Sequence, residues 1–242
     1  MTVLNSINSE SSVDYIIPKS NVIIRYADYR EILKNNVMLN WDFAKKYYFV
    51  QRIKLDNAEH DFEFKIATEP EELKEMLRLR FLSYSNEGYI DPYYFNDGLE
   101  YDKYDTNSVM FLVRNLETRK LHACVRLVLD SDIGLPLEEF ASISDFRSED
   151  KTISEISRLI SYPKSQKPIN REILKLAYRF ASNFGITHLV GFGRWCKLSY
   201  YESIGLRILE PLRKVEYKEI GNGHMPPGEF YVNVLDIKNF NL

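Results

Sequence analysis

The stretch VMFLVRNLETRKLHACVRLVL, residues 109–129, reads as two strands around a turn. Residues 109–114 and 121–129 are mostly apolar and rich in β-branched and aromatic side chains, while 115–120 is polar. So short a connection requires an antiparallel pair. In the second strand Leu121, Ala123, Val125, Leu127 and Leu129 share one face, which turns Arg126 to the other with Cys124 and Val128. A guanidinium on a strand face that should be buried demands carboxylate partners.

Working outward, a further strand is expected at 153–161, stopped at Pro163. Asn170 is then read as the cap of a helix whose buried face is Ile173, Leu174, Ala177, Phe180, Ala181 and Phe184, with Gly185 as its stop. A buried strand follows at 187–192, a helix at about 195–204 ended by Gly205, and two last strands near 212–218 and 229–236. Gly221-Asn222-Gly223 and Pro226-Pro227-Gly228 join those two strands. Upstream, Phe62 to Ile66 alternates like a strand, and Thr68-Glu69-Pro70-Glu71 reads as a capping box. It opens a helix with Leu73, Leu77, Phe81 and Tyr84 on its apolar face and Arg80 at the edge of that stripe. Gly88, Pro92 and Gly98 mark residues 85–100 as a loop of the size used for flaps. Residues 26–53, dense in aromatics and charges, are expected to form one or two helices, and 1–20 a flexible tail. The division that follows is an N-terminal extension over 1–60 and one α/β (α+β) domain over 61–242, a mixed sheet with helices on both faces.

Composition narrows the function. The chain has 242 residues, 45% of them hydrophobic, enough for one substantial core. Its formal charge of -3 supplies no basic field, so nucleic acid is not an expected partner. Two cysteines without CxxC spacing, and four histidines (His60, His122, His188, His224) outside any ligand spacing, predict neither a metal site nor a disulfide scaffold. No window supplies the ~18 apolar residues of a membrane span and the first dozen residues are polar, so a cytoplasmic protein is expected.

Charge is instead concentrated beside the expected core. Glu100, Asp102 and Asp105 precede the first strand of the hairpin, Arg126 lies within the second, and Glu155 and Arg158 lie in the strand after it. Such a set implies one pre-organised polar site and hence an enzyme.

Arg80-x-x-x-Tyr84-x-x-Glu87, Glu100-Tyr-Asp102-x-x-Asp105, Arg126-Leu-Val followed by Leu135-Pro-Leu-Glu138, and Glu155-Ile-Ser-Arg158 stand in an order that resembles one superfamily. It is the autoinducer-synthase-like branch of the GNAT acyltransferases, nearest to N-acyl amino acid synthases and exosortase-associated acyltransferases. The resemblance spans about residues 62–237 and implies a GNAT-like, mostly antiparallel sheet. It further implies transfer of a fatty acyl group from acyl carrier protein, or from coenzyme A, to the amine of an amino acid or related small amine. The acyl-phosphopantetheine thioester is then a co-substrate, no cofactor is tightly bound, and membrane association arises only through a lipid product. Homoserine-lactone synthases, which use S-adenosylmethionine, place a Trp where this chain has Ile90; Glu87 follows the amino acid branch. By the same resemblance the pantetheine arm pairs with strand 153–161 where it splays from 187–192, and Tyr200 or Tyr201 falls where a tyrosine reprotonates the leaving thiol.

Chemistry gives the residues provisional roles. Attack by an amine needs a proton acceptor, and Glu155 is the first candidate base with Glu100 second. Arg126, Asp102, Arg158, Asp105, Arg80 and Tyr84 are assigned to substrate binding and site shaping, with a purely structural ion network as the competing role for the acids and arginines. If Glu155 were locked on Arg158 its pKa would fall and Glu100 would be the better base. A straight strand puts Glu155 and Arg158 on opposite faces, so only a bulge or splay unites them. Residues 163–168 contain no glycine to wrap a pyrophosphate, which favours a carrier-protein donor, and Arg171, Lys175 and Arg179 form a basic stripe able to dock an acidic carrier. Two alternatives stand beside the synthase: an acyl-homoserine-lactone synthase, and a non-catalytic acyl- or carrier-binding module.

Overall fold

Alternating burial along the central strands decides the layers of this computed structural model, which describes residues 14–16, 23–25, 44–163, 166–194, 197–203, 208–217 and 228–235. Two short strands, β1 (Asp14–Ile16) and β2 (Ile23–Arg25), pair with each other. The main sheet takes β3 (Phe49–Leu55), β4 (Ala58–Ile66), β5 (Ser108–Asn115), β6 (Leu121–Leu129), β7 (Ile153–Ser161), β8 (His188–Arg194), β9 (Ile208–Tyr217) and β10 (Gly228–Leu235). Their spatial order is β3-β4-β5-β6-β7-β8-β10-β9. Every neighbouring pair is antiparallel except β7 and β8. Among the described residues the helices are α1 (Pro70–Glu87), α2 (Lys167–Asn183) and α3 (Leu198–Ser203).

All eight residues of β5 are buried, so both faces of the sheet are covered there. On one face Phe62, Phe64, Phe111, Val113, Ala123, Val125 and Leu127 pack against Ile173, Leu174, Ala177, Phe180 and Ala181 of α2. On the other, Met110, Leu112, Cys124 and Ile160 lie under Leu73, Met76 and Leu77 of α1. That second face continues past β6 as Val128, Ile153 and Val190 under Leu135, Leu137 and Ile143. The parity read for β6 therefore holds from Ala123 to Leu129. Leu121 is the exception: a register shift at Val113/Arg114 lets it pack beside Cys124.

Three local expectations change. Residues 49–53, read as helical, belong to β3, because Asp56 and Asn57 both adopt positive φ (49° and 69°) and turn the chain into a hairpin with β4. The sheet thus begins at Phe49, ahead of residue 61. Helix α1 is capped by Glu69, and Glu72 reaches back to the N–H groups of Thr68 and Glu69 at 3.2 and 3.4 Å, while the Thr68 hydroxyl caps nothing. Asn170 lies inside the first turn of α2, whose cap is Gln166. The expected stop holds, since Gly185 follows α2 with φ of 70°. Residues 1–12, Cys196, Gly221 to Gly223 and His224 lie outside the described residues.

The parallel pair positions the site. Its ladder runs only from Ile153↔His188 to Glu155↔Val190, after which β8 leaves β7 while it stays paired with β10 from Leu189 to Arg194. The two strands splay beyond Glu155.

Candidate active site

Helix α1 buries Leu73, Met76, Leu77 and Arg80, the spacing of one apolar stripe, so an arginine occupies a core position. Its guanidinium is 1% exposed and lies between two carboxylates. Nη1 and Nη2 grip Asp105 as a fork, at 2.8 and 3.0 Å, and Nε donates to Glu100. The segment that carries these acids is fastened twice. The Glu100 N–H donates to the Leu77 carbonyl of α1 at 3.1 Å, and Asp102 and Asp105 cap a short 3-10 turn reciprocally. Asp102 Oδ1 accepts from the Tyr104 N–H at 3.0 Å while Asp105 Oδ2 accepts from the Asp102 N–H at 2.8 Å. The Asp-x-x-Asp spacing is therefore a turn motif as well as an ion-pair motif.

Arg126, fully buried, donates Nη1 to Asp102 and Asp105, both at 2.6 Å, and Nε to Ser157 Oγ at 3.0 Å. Ser157 faces Arg126 directly in the β6–β7 ladder. Arg158 reaches the same acids. Its Nη2 donates to Glu100 Oε1 at 2.9 Å and Asp102 Oδ2 at 3.0 Å, and its guanidinium lies 5.2 Å from the centre of the Tyr84 ring. Ile160 pairs with Cys124 but Ser157 pairs with Arg126, so β7 carries one extra residue between them. Arg158 takes up the bulge in the left-handed region, at φ of 57°. This distortion resolves the parity conflict of a straight strand, and turns Ser157 and Arg158 toward one site.

Glu155 stands apart from this net. It is 2% exposed, and its Oε2 accepts from the Leu137 N–H at 2.8 Å, a bond supplied by the Leu135-Pro-Leu-Glu138 turn. Burial raises its pKa to about 7, only partly opposed by that N–H, Arg126 and Arg158. Burial acts on Glu100 too, but Arg158 and Arg80 override it and hold the carboxyl below its usual range. Asp102 is likewise held well down, since Arg126 and Arg158 outweigh its burial. The acids locked on Arg158 are thus Glu100 and Asp102, and Glu155 is the one left near neutrality.

The other candidates lie elsewhere. Arg171 donates to the Ser203 carbonyl at 3.1 Å, Lys175 pairs with Glu172 at 3.2 Å, and Arg179 donates to the Lys46 carbonyl beside the Tyr47 ring. The basic stripe is engaged within the chain. Cys124 is buried, which pushes its thiol up to about 12 and makes it a poor nucleophile. Among the described residues no group of His, Cys, Asp and Glu suits a metal ion. Nor does any described helix have the length and apolarity to cross a membrane. Sequence reading missed Ser157, although its place between Glu155 and Arg158 was a signal, and the Leu137 N–H, which no side-chain pattern announces.

A sheet with one parallel step that splays and helices on both faces is a GNAT-like architecture. The model of the N-acyl amino acid synthase FeeM family matches residues 75–220, more than half of the chain, and this protein belongs to that family. Solved structures share the fold. That of FeeM, an N-acyl amino acid synthase from uncultured soil microbes, aligns with a TM-score of 0.57 at 15% identity, over 79% of this chain and 94% of that one. The acyl-homoserine-lactone synthase LasI aligns at 0.56 and 16% identity, covering 74% and 91%. BjaI, a CoA-dependent acyl-homoserine lactone synthase solved with SAM and isopentyl-CoA, aligns at 0.52 and 22% identity, covering 69% and 76%. No curated protein sequence matches the chain.

Proposed function

We propose that this acyltransferase moves a fatty acyl group from acyl carrier protein to the amine of an amino acid, with Glu155 as the base. The observation that carries the reading is a buried carboxyl with a pKa of about 7 where β7 parts from β8. Near neutral pH such a group can accept a proton from the neutral amine as it attacks and the C–N bond forms, then lose that proton to solvent. The donor's phosphopantetheine amides pair with β7 past Glu155, where the ladder to β8 has ended. No cofactor is tightly held; the thioester is a co-substrate. The carbonyl carbon leaves sulfur for nitrogen, the base takes the amine proton, and the departing thiolate takes a proton from solvent.

The absence of glycine in residues 163–168 favours a carrier protein over coenzyme A, because a glycine-free loop wraps a pyrophosphate poorly. Glu87, and Ile90 in place of Trp, favour an amino acid over S-adenosylmethionine. The test offers acyl-carrier-protein and acyl-CoA thioesters with a pool of amino acids, and separately with S-adenosylmethionine, and reads products by mass spectrometry. N-acyl amino acids formed from the carrier donor are expected. Lactone product dependent on S-adenosylmethionine would replace this reading with the homoserine-lactone one, and no product from any donor would refute both.

A further inference from the structure

Tyr104 is 3% exposed and belongs to two neighbourhoods at once. Its backbone lies in the 3-10 turn that carries the acids: its N–H donates to Asp102 Oδ1 at 3.0 Å, and its carbonyl accepts from Ser108 Oγ at 2.6 Å. Its ring packs among Val128, Leu135, Leu137 and Ile153, against the turn whose Leu137 N–H meets Glu155. Its hydroxyl reaches the far end of that turn and donates to Glu139 Oε1 at 3.0 Å. Phenylalanine would supply the packing; the hydroxyl adds the bond.

The Leu135-to-Glu139 turn is gripped at two places. Glu138 accepts from the Leu135 N–H at 2.9 Å and from Arg147 Nε and Nη2, and Arg147 also holds Asp130, just past β6. That clamp fixes the start of the turn. Beyond it Glu139 is held by Tyr104 and by Lys103 Nζ at 3.1 Å, an exposed ion pair of the kind that contributes little. The phenol is the buried tie. Arg126 from β6, Arg158 from its own strand and Asp102 from the acid-bearing turn act on Glu155 through space, while Val190 opposite it in β8 is apolar. Among the described residues only the Leu137 N–H gives the carboxylate a hydrogen bond. Such a donor favours the charged form, and its hold depends on distance and angle.

We propose that Tyr104 is a positioning residue for acyl transfer: its bond to Glu139 seats the turn so that the Leu137 N–H stays on the Glu155 carboxylate. This rests on the reading of Glu155 as the base. Without the hydroxyl the turn keeps its Arg147 clamp and its apolar packing, but the Leu137 donor is free to draw back. The carboxylate then loses part of its stabilisation and holds its proton to higher pH. Tyr104 touches no reacting atom and acts only through the turn.

The experiment titrates Glu155 by NMR in protein isotope-labelled at the glutamate carboxyl carbons, its signal assigned by its absence from Glu155→Gln, and records pH–rate profiles of the same proteins. Wild type is compared with Tyr104→Phe, Glu139→Gln and Glu139→Ala. Tyr104→Phe should raise the Glu155 pKa by about half to one pH unit, part of the value of a hydrogen bond to a charged group. Its rate near about pH 6 should then fall roughly 3- to 10-fold, and the loss should shrink as pH rises. A loss equal at every pH would mark a merely structural role and overturn the proposal. Glu139→Gln keeps the acceptor and removes a negative charge, so its Glu155 should titrate at or below the wild-type pKa. Glu139→Ala removes the same charge and the acceptor too, so its Glu155 should titrate above that of the glutamine variant. That pair carries the comparison if Tyr104→Phe fails to fold by circular dichroism. A Glu155 titration unmoved in Tyr104→Phe, or equal in the two Glu139 variants, would overturn the role of Tyr104 and leave the enzyme's function standing. A titration that moves while the pH–rate profile does not would instead overturn Glu155 as the base, and with it this role. A wild type inactive with every donor would overturn the acyl-transfer reading itself.

Discussion

Glu155 is a carboxyl with no ion pair among the described residues, although Arg126 Nη2 is itself without a hydrogen-bond partner there. Arg80, Arg126 and Arg158 are matched by Glu100, Asp102 and Asp105, so the net is balanced at three positive and three negative groups. A fourth buried acid gains little from a neutral assembly and suffers the whole of its own desolvation. This accounts for a pKa of about 7 beside three arginines. Activity should therefore rise with pH through about 7 and level off, and Glu155→Gln should lower kcat by roughly 10²-fold or more and abolish that rise. Stability should run the opposite way. The folded pKa lies above the ordinary 4.5, so between about 4.5 and about 7 the native state holds a proton that the unfolded chain has lost. Wild type should lose stability as pH rises through that interval, whereas Glu155→Gln should not. Melting curves of both proteins from pH 5 to about pH 8 check this; parallel curves would mean that Glu155 titrates normally.

At the scale of elements, the bulge in β7 separates what the sequence could and could not disclose. Strand parity was legible, and it showed that Glu155 and Arg158 could not share a straight strand. The location of the extra residue was not, since Arg158 has none of the features that favour positive φ and is held there by Glu100, Asp102 and the Tyr84 ring. The same limit applies at Arg80. Its place on the apolar stripe was visible, but its full burial depends on Glu100 and Asp105, which are brought to it by a segment with its own turn chemistry. Residues 49–53 went astray for a third reason, the aromatic density around them, which hid the Asp56-Asn57 hairpin signal. The bulge also makes a prediction. Arg158→Gly and Arg158→Ala both remove the charge, but only glycine accepts φ of 57° freely. Denaturant midpoints should place the glycine variant about 1–2 kcal/mol above the alanine one. Equal stabilities would mean that the bulge relaxes when its charge is gone.

Across the whole molecule, the order of strands and the placing of helices on both faces were readable because β5 and β6 are long, regular and close in sequence. The pairing of β8 with β10 rather than β9 joins residues far apart in the chain, and local pattern does not determine it. The ion net spans similar distances, tying α1, the segment after it, β6 and β7. That connectivity has a kinetic consequence. No one of these six groups can leave water alone without a penalty of several kcal/mol, so they must be dried together, after the sheet has brought them within reach. The net should consequently consolidate late in folding. Arg80→Leu, which strands Glu100 and Asp105, should cost about 3–5 kcal/mol, most of it as faster unfolding and little as slower folding. Stopped-flow folding and unfolding rates in denaturant measure the division, and a loss confined to the folding rate would contradict it. The residues of the candidate active site would then also form the bolt that sets how long this enzyme stays folded.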